Sequence, residues 1–478
     1  MTINNFLLPG AKFTPAYEVA NSCRFNRADT AYMHKTPSST GNRDVWSWSA
    51  WIKRSTLGAL QVIFEAGDGG SNYTQIAFNS SDQLDFQDDG GGRLKTNRLF
   101  RDVSAWYHLL IVFNSADGTA GDRMRIYVNG TEETSFATDD TANVAQNEDS
   151  EMNLSSRVIR LGYGNEDDYA FGGYMAEVVL LDGTAATPTS FGEFDEDTPS
   201  VFKPKDVSGL TFGTNGFYLD FEASGNLGND ANGGTDLTEV NLAATDQATD
   251  TPTNNFCVMN PIASQTRIQT LSEGNLRATY SSGSNGGTNW ATIAATAGKW
   301  YAECLVNTMG SNGTNIGVLN VDSTEFPDHS STALGADNFS AGYYKTGILY
   351  RSSETNHTGN TNSDFDSYDA NDIISIAMDL DNGFFYWAKN GTWQNSGDPT
   401  SAATGTGGVA TSHLTASETY TFTAWIRNGS VITWNFGNPP TTFSISSGNA
   451  DADGYGNFEY APPSGYFALC TKNLAEYG

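Results

Sequence analysis

Short alternating runs of residues, each closed by turn formers, most narrow what this chain can fold into. In residues 45–54, VWSWSAWIKR, Trp46, Trp48 and Ala50 fall on one side and Ser47, Ser49 and Trp51 on the other. That is the period of two of a β-strand. Residues 124–130, MRIYVNG, alternate in the same way and end on Asn129-Gly130. Asn-Gly accepts the positive φ that a type I′ hairpin turn demands. The pair recurs as Asn382-Gly383 and Asn390-Gly391 on either side of FFYWAK, which predicts a meander of short antiparallel strands. No stretch sustains apolar residues at i, i+3 and i+4 between helix caps. The expected fold class is all-β: two antiparallel β-sandwich (jelly-roll) domains with an irregular connector and little helix.

Composition sets the boundaries. Residues 1–18 read as an N-terminal arm and 19–205 as a first strand-rich block. Residues 206–255 read as a connector, because from 224 onward the text is acidic, rich in small residues and free of aromatics. A second strand-rich block follows over 256–440, then a Gly- and Pro-bearing extension over 441–478.

Charge excludes one broad class. Lys and Arg total 25 against 55 Asp and Glu, a formal charge of −30, and no basic stripe interrupts it. Such a chain repels phosphate backbones, so nucleic acid is not an expected partner. Charged residues are only 17%, and Gly, Asn, Ser and Thr supply the polarity instead. Aromatics at 12% argue against disorder. Cys23, Cys257, Cys304 and Cys470 stand far apart with no CxxC pair, which fits a chain folded in a reducing compartment. The start MTINNFLLPGAKF lacks the basic and apolar regions of a signal peptide, and no apolar run approaches the ~20 residues of a membrane span.

Three sets of phrases carry resemblances. RDVSAWYHLLIVF (101–113), then DRMRIYVNG, then YMAEVVLLDG (174–183) resemble, in that order, a laminin G-like, concanavalin-type jelly roll over about residues 23–194. GKWYAECLV (298–306), NDIISIAMDLDNGFFYWAKNGTW (371–393) and VITWNFGNPP (431–440) are similar to a SPRY domain, also a two-sheet sandwich. FGEFDEDTPSVFKPK, GTNGFYLDF, DTPTNNFCVMNP and GYFALCTKNL resemble connecting phrases of tailed-bacteriophage virion proteins. This last resemblance implies a non-enzymatic, tail-fibre-like virion protein, assembled in the host cytoplasm, whose modules recognise a host-surface glycan or protein. It implies other virion proteins as partners, a homo-oligomer, no membrane insertion and no cofactor. A head-decorating or connector virion protein is the alternative, and a glycan-degrading enzyme a distant one.

The Glu-x-Asp-x-x-Glu strand of jelly-roll glucanases is absent; Asp220-Phe221-Glu222 offers only two acids, and no catalytic residue is assigned. Asp379-Leu380-Asp381-Asn382-Gly383 starts like a calcium loop but has strand flanks, so it reads as a hairpin turn. Glu166, Asp167 and Asp168 form a weak calcium candidate, with a solvated loop as the plainer reading. His108 follows Trp106-Tyr107 and reads as a packed strand residue. Among the aromatics, Trp48, Trp300, Trp387 and Trp434 read as core. Trp290, Tyr343, Tyr344 and Trp393 sit in loop-like contexts and are the ligand-binding candidates, since aromatic faces stack on sugar rings. Phe6, Leu7, Leu8 and Phe13 make the N-terminal arm apolar and a candidate for oligomer contact or attachment.

Overall fold

The computed structural model describes residues 17–68, 70, 72–89, 91–164, 169–262, 269–280, 286–311, 313–322, 334–335, 339–351, 365–414 and 419–478. The chain divides into two compact units, one running to Thr253 and one from Asn254 to Gly478. Each is a sandwich of antiparallel sheets, so the all-β expectation holds. Among the described residues the one α-helix is Thr471–Tyr477.

Two eight-stranded sheets build the first unit. The back sheet is centred on Val45–Arg54, flanked by Trp106–Asn114 and Gly173–Asp182. The front sheet runs Phe136–Asp139, Arg93–Leu99, Gln83–Asp88, Tyr73–Phe78, Gln61–Gly67, Val158–Leu161, Tyr32–Lys35, Thr238–Val240. Between them Trp46 stacks on Phe113 with ring centroids 5.7 Å apart, and Trp48 on Phe64 at 5.2 Å. Alternation in Val45–Arg54 thus puts Trp46, Trp48, Ala50 and Ile52 into the core. The other side of the strand is buried as well. Leu110, Val112, Val179 and Leu181 on that outer face pack under Phe191, Val207, Phe212 and Tyr218, while Trp51 lies under Val19 and Phe202.

The expected connector over 206–255 is where the structure departs most from the sequence reading. Phe217–Leu219 pairs with Gly173–Asp182, Thr238–Val240 with Tyr32–Lys35, and Gln247–Ala248 with Ser22–Phe25. The segment closes both sheets of the first unit instead of leaving it. A buried ion pair fastens its end: Lys53 Nζ lies 2.6 Å from Asp250 Oδ2, and Trp106 Nε1 donates to Asp250 Oδ1 at 3.0 Å. Small polar residues serve here because short strands at a sheet edge are held by backbone hydrogen bonds and a few anchors, not by an apolar stripe.

A nine-stranded and a five-stranded sheet form the second unit. Lys299–Thr308 is central to the first, between Ser430–Asn435 and Ile373–Asp379. Its alternation sends Trp300, Ala302, Cys304 and Val306 inward. The expected C-terminal extension, 441–478, belongs to this fold. Phe467–Ala468 pairs in parallel with Lys299–Thr308, and Phe458, Tyr466, Ala468 and Cys470 cover the sheet's outer face against Phe256, Tyr301 and Tyr386. Glu303, fully buried, ties that cover down. Its carboxylate accepts from the backbone N–H of Glu459 at 2.9 Å and of Tyr460 at 2.8 Å, from Asn435 Nδ2 at 3.2 Å and from Tyr301 Oη at 3.1 Å. All four cysteines are buried free thiols.

Two of the three Asn-Gly pairs make the expected turn. Asn129-Gly130 and Asn390-Gly391 both have positive φ at each residue, as type I′ requires. At Asn382-Gly383 only Gly383 does. The loop there is two residues longer because Asp379 Oδ1 accepts from the Asn382 N–H and side chain, at 3.0 Å each.

Removing Asp250 as Asp250→Ala strands the Lys53 ammonium in the interior, and should cost about 3–5 kcal/mol of stability in urea unfolding. The second unit should show its own signature. Burial pushes the Glu303 carboxyl up to about 7 from 4.5, against four hydrogen bonds that pull it down. Because the folded value is raised, stability from this group is full below about 4.5 and is lost as pH rises through about 7. Unfolding midpoints of Glu303→Gln measured from pH 4.5 to 8 should therefore fall less steeply with pH than those of the unmodified chain.

Candidate functional site

The front sheet carries the most developed polar surface of the described residues. Its strands alternate apolar and polar, as in Gln83-Leu84-Asp85-Phe86-Gln87 and Arg93-Leu94-Lys95. Phe64, Ile76, Leu84, Phe86 and Leu94 enter the core, so their neighbours face away from it. Register then lines up one residue from each of six adjacent strands. His34 opposes Arg160, Arg160 opposes Glu65, Glu65 opposes Gln75, Gln75 opposes Gln87, and Gln87 opposes Arg93. At the usual spacing of neighbouring strands this row spans about 24 Å.

Its members hold one another in place. Gln75 Nε2 donates to Glu65 Oε2 at 2.7 Å, Arg160 Nη1 lies 3.4 Å from Glu65 Oε1, and Gln87 Nε2 donates to Gln75 Oε1 at 3.4 Å. In the adjacent row Asp85 receives Arg93 through two parallel bonds, 2.8 and 2.5 Å, the geometry that suits a guanidinium to a carboxylate. Glu65 and Gln75 are sunk into the surface, while His34, Gln87, Arg93 and Arg160 are half-buried. Tyr32, next to His34 on the strand, leans on Tyr163, ring centroids 4.9 Å apart and 22° from parallel. Amide, guanidinium and carboxylate groups side by side with stacked phenols can meet a ligand rich in hydroxyls: the former pair with hydroxyl groups, the latter cover C–H faces.

None of these residues was singled out from sequence. They are the polar half of each alternating strand, evenly spread in sequence, whereas the aromatic candidates near turns lie elsewhere. Of Trp290, Tyr343, Tyr344 and Trp393, two share one outer face, one lies on another sheet and one is in the core. Tyr343 is fully buried, the correction with the clearest reason. It occupies an inward position of Ser340–Tyr344, its ring meets Phe365 and Tyr368 edge-on at 4.8 and 4.9 Å, and its hydroxyl donates to the Asp366 carbonyl. Tyr344 points the other way, half-buried and edge-on to Tyr350 at 5.6 Å. Trp290 shares that outer face of the five-stranded sheet but is 9% exposed, packed with Leu319 and Phe339. Trp393 lies on the other sheet, half-buried against the cluster of Tyr301, Tyr386 and Tyr466. Glu166, Asp167 and Asp168, and the arm residues Phe6, Leu7, Leu8 and Phe13, lie outside the described residues.

Two further groups are structural. His108 is buried between Trp51 and Phe202, with Nε2 2.9 Å from Ser49 Oγ. Burial pushes its pKa down to about 3, so the ring is neutral at physiological pH. In the turn after Ile373–Asp379, Asp379 is engaged by Asn382 and by Lys299 at 2.9 Å.

Residues 28–189 match the family model of the Concanavalin A-like lectin/glucanases superfamily. That span includes every member of the polar row. The first unit is thus a concanavalin-like, laminin G-like sandwich. Similar solved structures include a putative carbohydrate binding protein from Bacteroides ovatus, with 18% identity, 47% of this chain and 58% of that one covered, and a TM-score of 0.33. The SPRY domain of human HERC1 is 15% identical, covering 39% of this chain and 99% of that one at a TM-score of 0.28. Domains LG4-5 of the mouse laminin alpha1 chain are 11% identical, covering 97% and 91% at 0.29. No curated protein matches the chain in sequence.

Because Tyr343 is core, Tyr343→Ala should destabilise the second unit by about 3 kcal/mol or more in urea unfolding. Trp393→Ala, taken from a half-buried position, should cost clearly less.

Proposed function

We propose that the chain is a non-enzymatic binding protein of a tailed-phage virion, tail-fibre-like, whose first unit takes a host-surface glycan across the front sheet. The polar row from His34 to Arg93, with Tyr32 on Tyr163 beside it, is the observation that carries the glycan part. A hydroxyl-rich chain finds amide and charged partners on six adjacent strands there. The match of residues 28–189 to a superfamily of lectins and glucanases supports the same reading. The virion setting rests on the resemblance of the phrases around residues 191–205, 213–221 and 250–261 to phage virion proteins; it brings other virion proteins and a homo-oligomer as partners. A second reading, a head-decorating or connector subunit, is favoured by Phe194 and Val201. Both are 43% exposed at the hairpin of Gly192–Phe194 and Phe202–Pro204, where a neighbouring subunit would gain by covering them.

A glycan array probed with the full chain, followed by titration of the best ligand, tests the proposal. Gln87→Ala and Tyr32→Ala should each weaken binding about tenfold, ~1.4 kcal/mol, with unfolding midpoints unchanged. The bound polysaccharide should keep its chain length on incubation. Silence across host polysaccharides, with the protein imaged on particles away from the tail tip, would instead favour the subunit reading.

A further inference from the structure

Glu177 stands apart from every other acidic residue of the first unit. It lies in the middle of Gly173–Asp182, a strand hydrogen-bonded on both sides, yet its φ is +50°. The pairing with Val45–Arg54 shifts register between Ala176 and Val179, so Glu177 is the extra residue of a bulge. A side chain other than glycine in the left-handed region is held there only by its surroundings. The bulge turns the carboxylate to the outer face, where it is 5% exposed.

Three oxygens meet there. Tyr17 Oη lies 3.0 Å from Glu177 Oε2, Tyr218 Oη lies 2.8 Å from the same oxygen, and the two phenols are 3.2 Å apart. Proton counting makes this triangle unusual. With the carboxylate ionised, the two phenol protons serve three oxygen contacts, and when both go to Glu177 the phenol–phenol contact has none. A proton on the carboxyl supplies the third, and each contact then holds one. Among the described residues, no cation is among the main charges acting on Tyr17 or Glu177. The charges that act on the triangle from outside are acidic: Asp206 on Tyr17, and Asp220 and Glu222 on Glu177. Elsewhere on this face Lys53 is paired with Asp250 and His108 is neutral.

We propose that Glu177, Tyr17 and Tyr218 form a proton-operated latch, which holds the segment entering the first strand against the outer face of Gly173–Asp182 and its paired strand Phe217–Leu219 in mild acid and loosens toward neutral pH. Tyr17 sits five residues before Ser22–Phe25, and Tyr218 lies on Phe217–Leu219, which pairs edge to edge with Gly173–Asp182 beyond Ser22–Phe25, so the triangle ties the chain entering one strand to the neighbouring strand. Burial pushes the Glu177 carboxyl up to about 7 from 4.5. In a locally opened state the group returns to about 4.5, so opening releases a proton between about 4.5 and 7. Opening therefore becomes up to about tenfold more favourable per pH unit within that window, and is flat above it.

Hydrogen exchange by mass spectrometry on the full chain at pH 5 and pH 7.5 tests this, with rates corrected for intrinsic exchange. In the unmodified chain, peptides containing residues 17–22 and 216–220 should open about tenfold or more readily at the higher pH. Peptides from 45–54 should not. Glu177→Gln keeps a neutral hydrogen-bonding group and should abolish the difference. Tyr17→Phe, at the half-buried corner of the triangle, serves if that variant fails to fold, and should reduce the difference. A flat response in the unmodified chain overturns the latch, as does a full response retained in either variant.

Discussion

Burial of both faces of the central strands is the constraint on which each unit depends. A sheet covered on one side leaves its outer polar groups in water. Here the outer faces are covered by chain that comes before or after the strands themselves, so polar side chains on those faces need partners inside the protein. Lys53 finds Asp250, and Glu303 finds the backbone of Glu459 and Tyr460. An unpaired charge at either place would cost several kcal/mol, whereas a paired one fixes where the covering segment must lie. The two anchors act differently. The first is an ion pair; the second is a lone carboxylate among donors and is sensitive to proton uptake.

The front sheet of the first unit follows the opposite rule. Among the described residues its polar side chains pair laterally, along the row from His34 to Arg93. Lateral pairing keeps these side chains ordered and partly accessible, which lowers the entropic cost of meeting a ligand. The same sandwich thus separates a closed face that gives stability from an open one suited to recognition.

Much of the fold was legible because local patterns and tertiary structure agree. Alternation in Val45–Arg54 and Lys299–Thr308 put Trp46, Trp48 and Trp300 inward, and Asn129-Gly130 and Asn390-Gly391 made the turns their φ tolerance permits. The candidate site was not legible in the same way. Tyr343 and Tyr344 are adjacent in a strand, and a shift of one position decides which is core and which faces out. Glycines on either side made the pair read as a loop, while the polar halves of the front-sheet strands, evenly spread in sequence, gave no local cluster to notice.

By itself the sequence determined the class of structure: strand length, turn positions, the inward faces of the central strands, and an acidic net charge. These follow from side-chain period and charge, which act over a few residues. Only the tertiary structure decided where residues 206–255 and 441–478 belong, because their short strands are placed by backbone pairing with partners up to some two hundred residues away. It also decided the row on the front sheet and the Glu177 triangle. Both exist only once strands distant in sequence are set in register, and register is a property of the whole sheet that no single segment encodes.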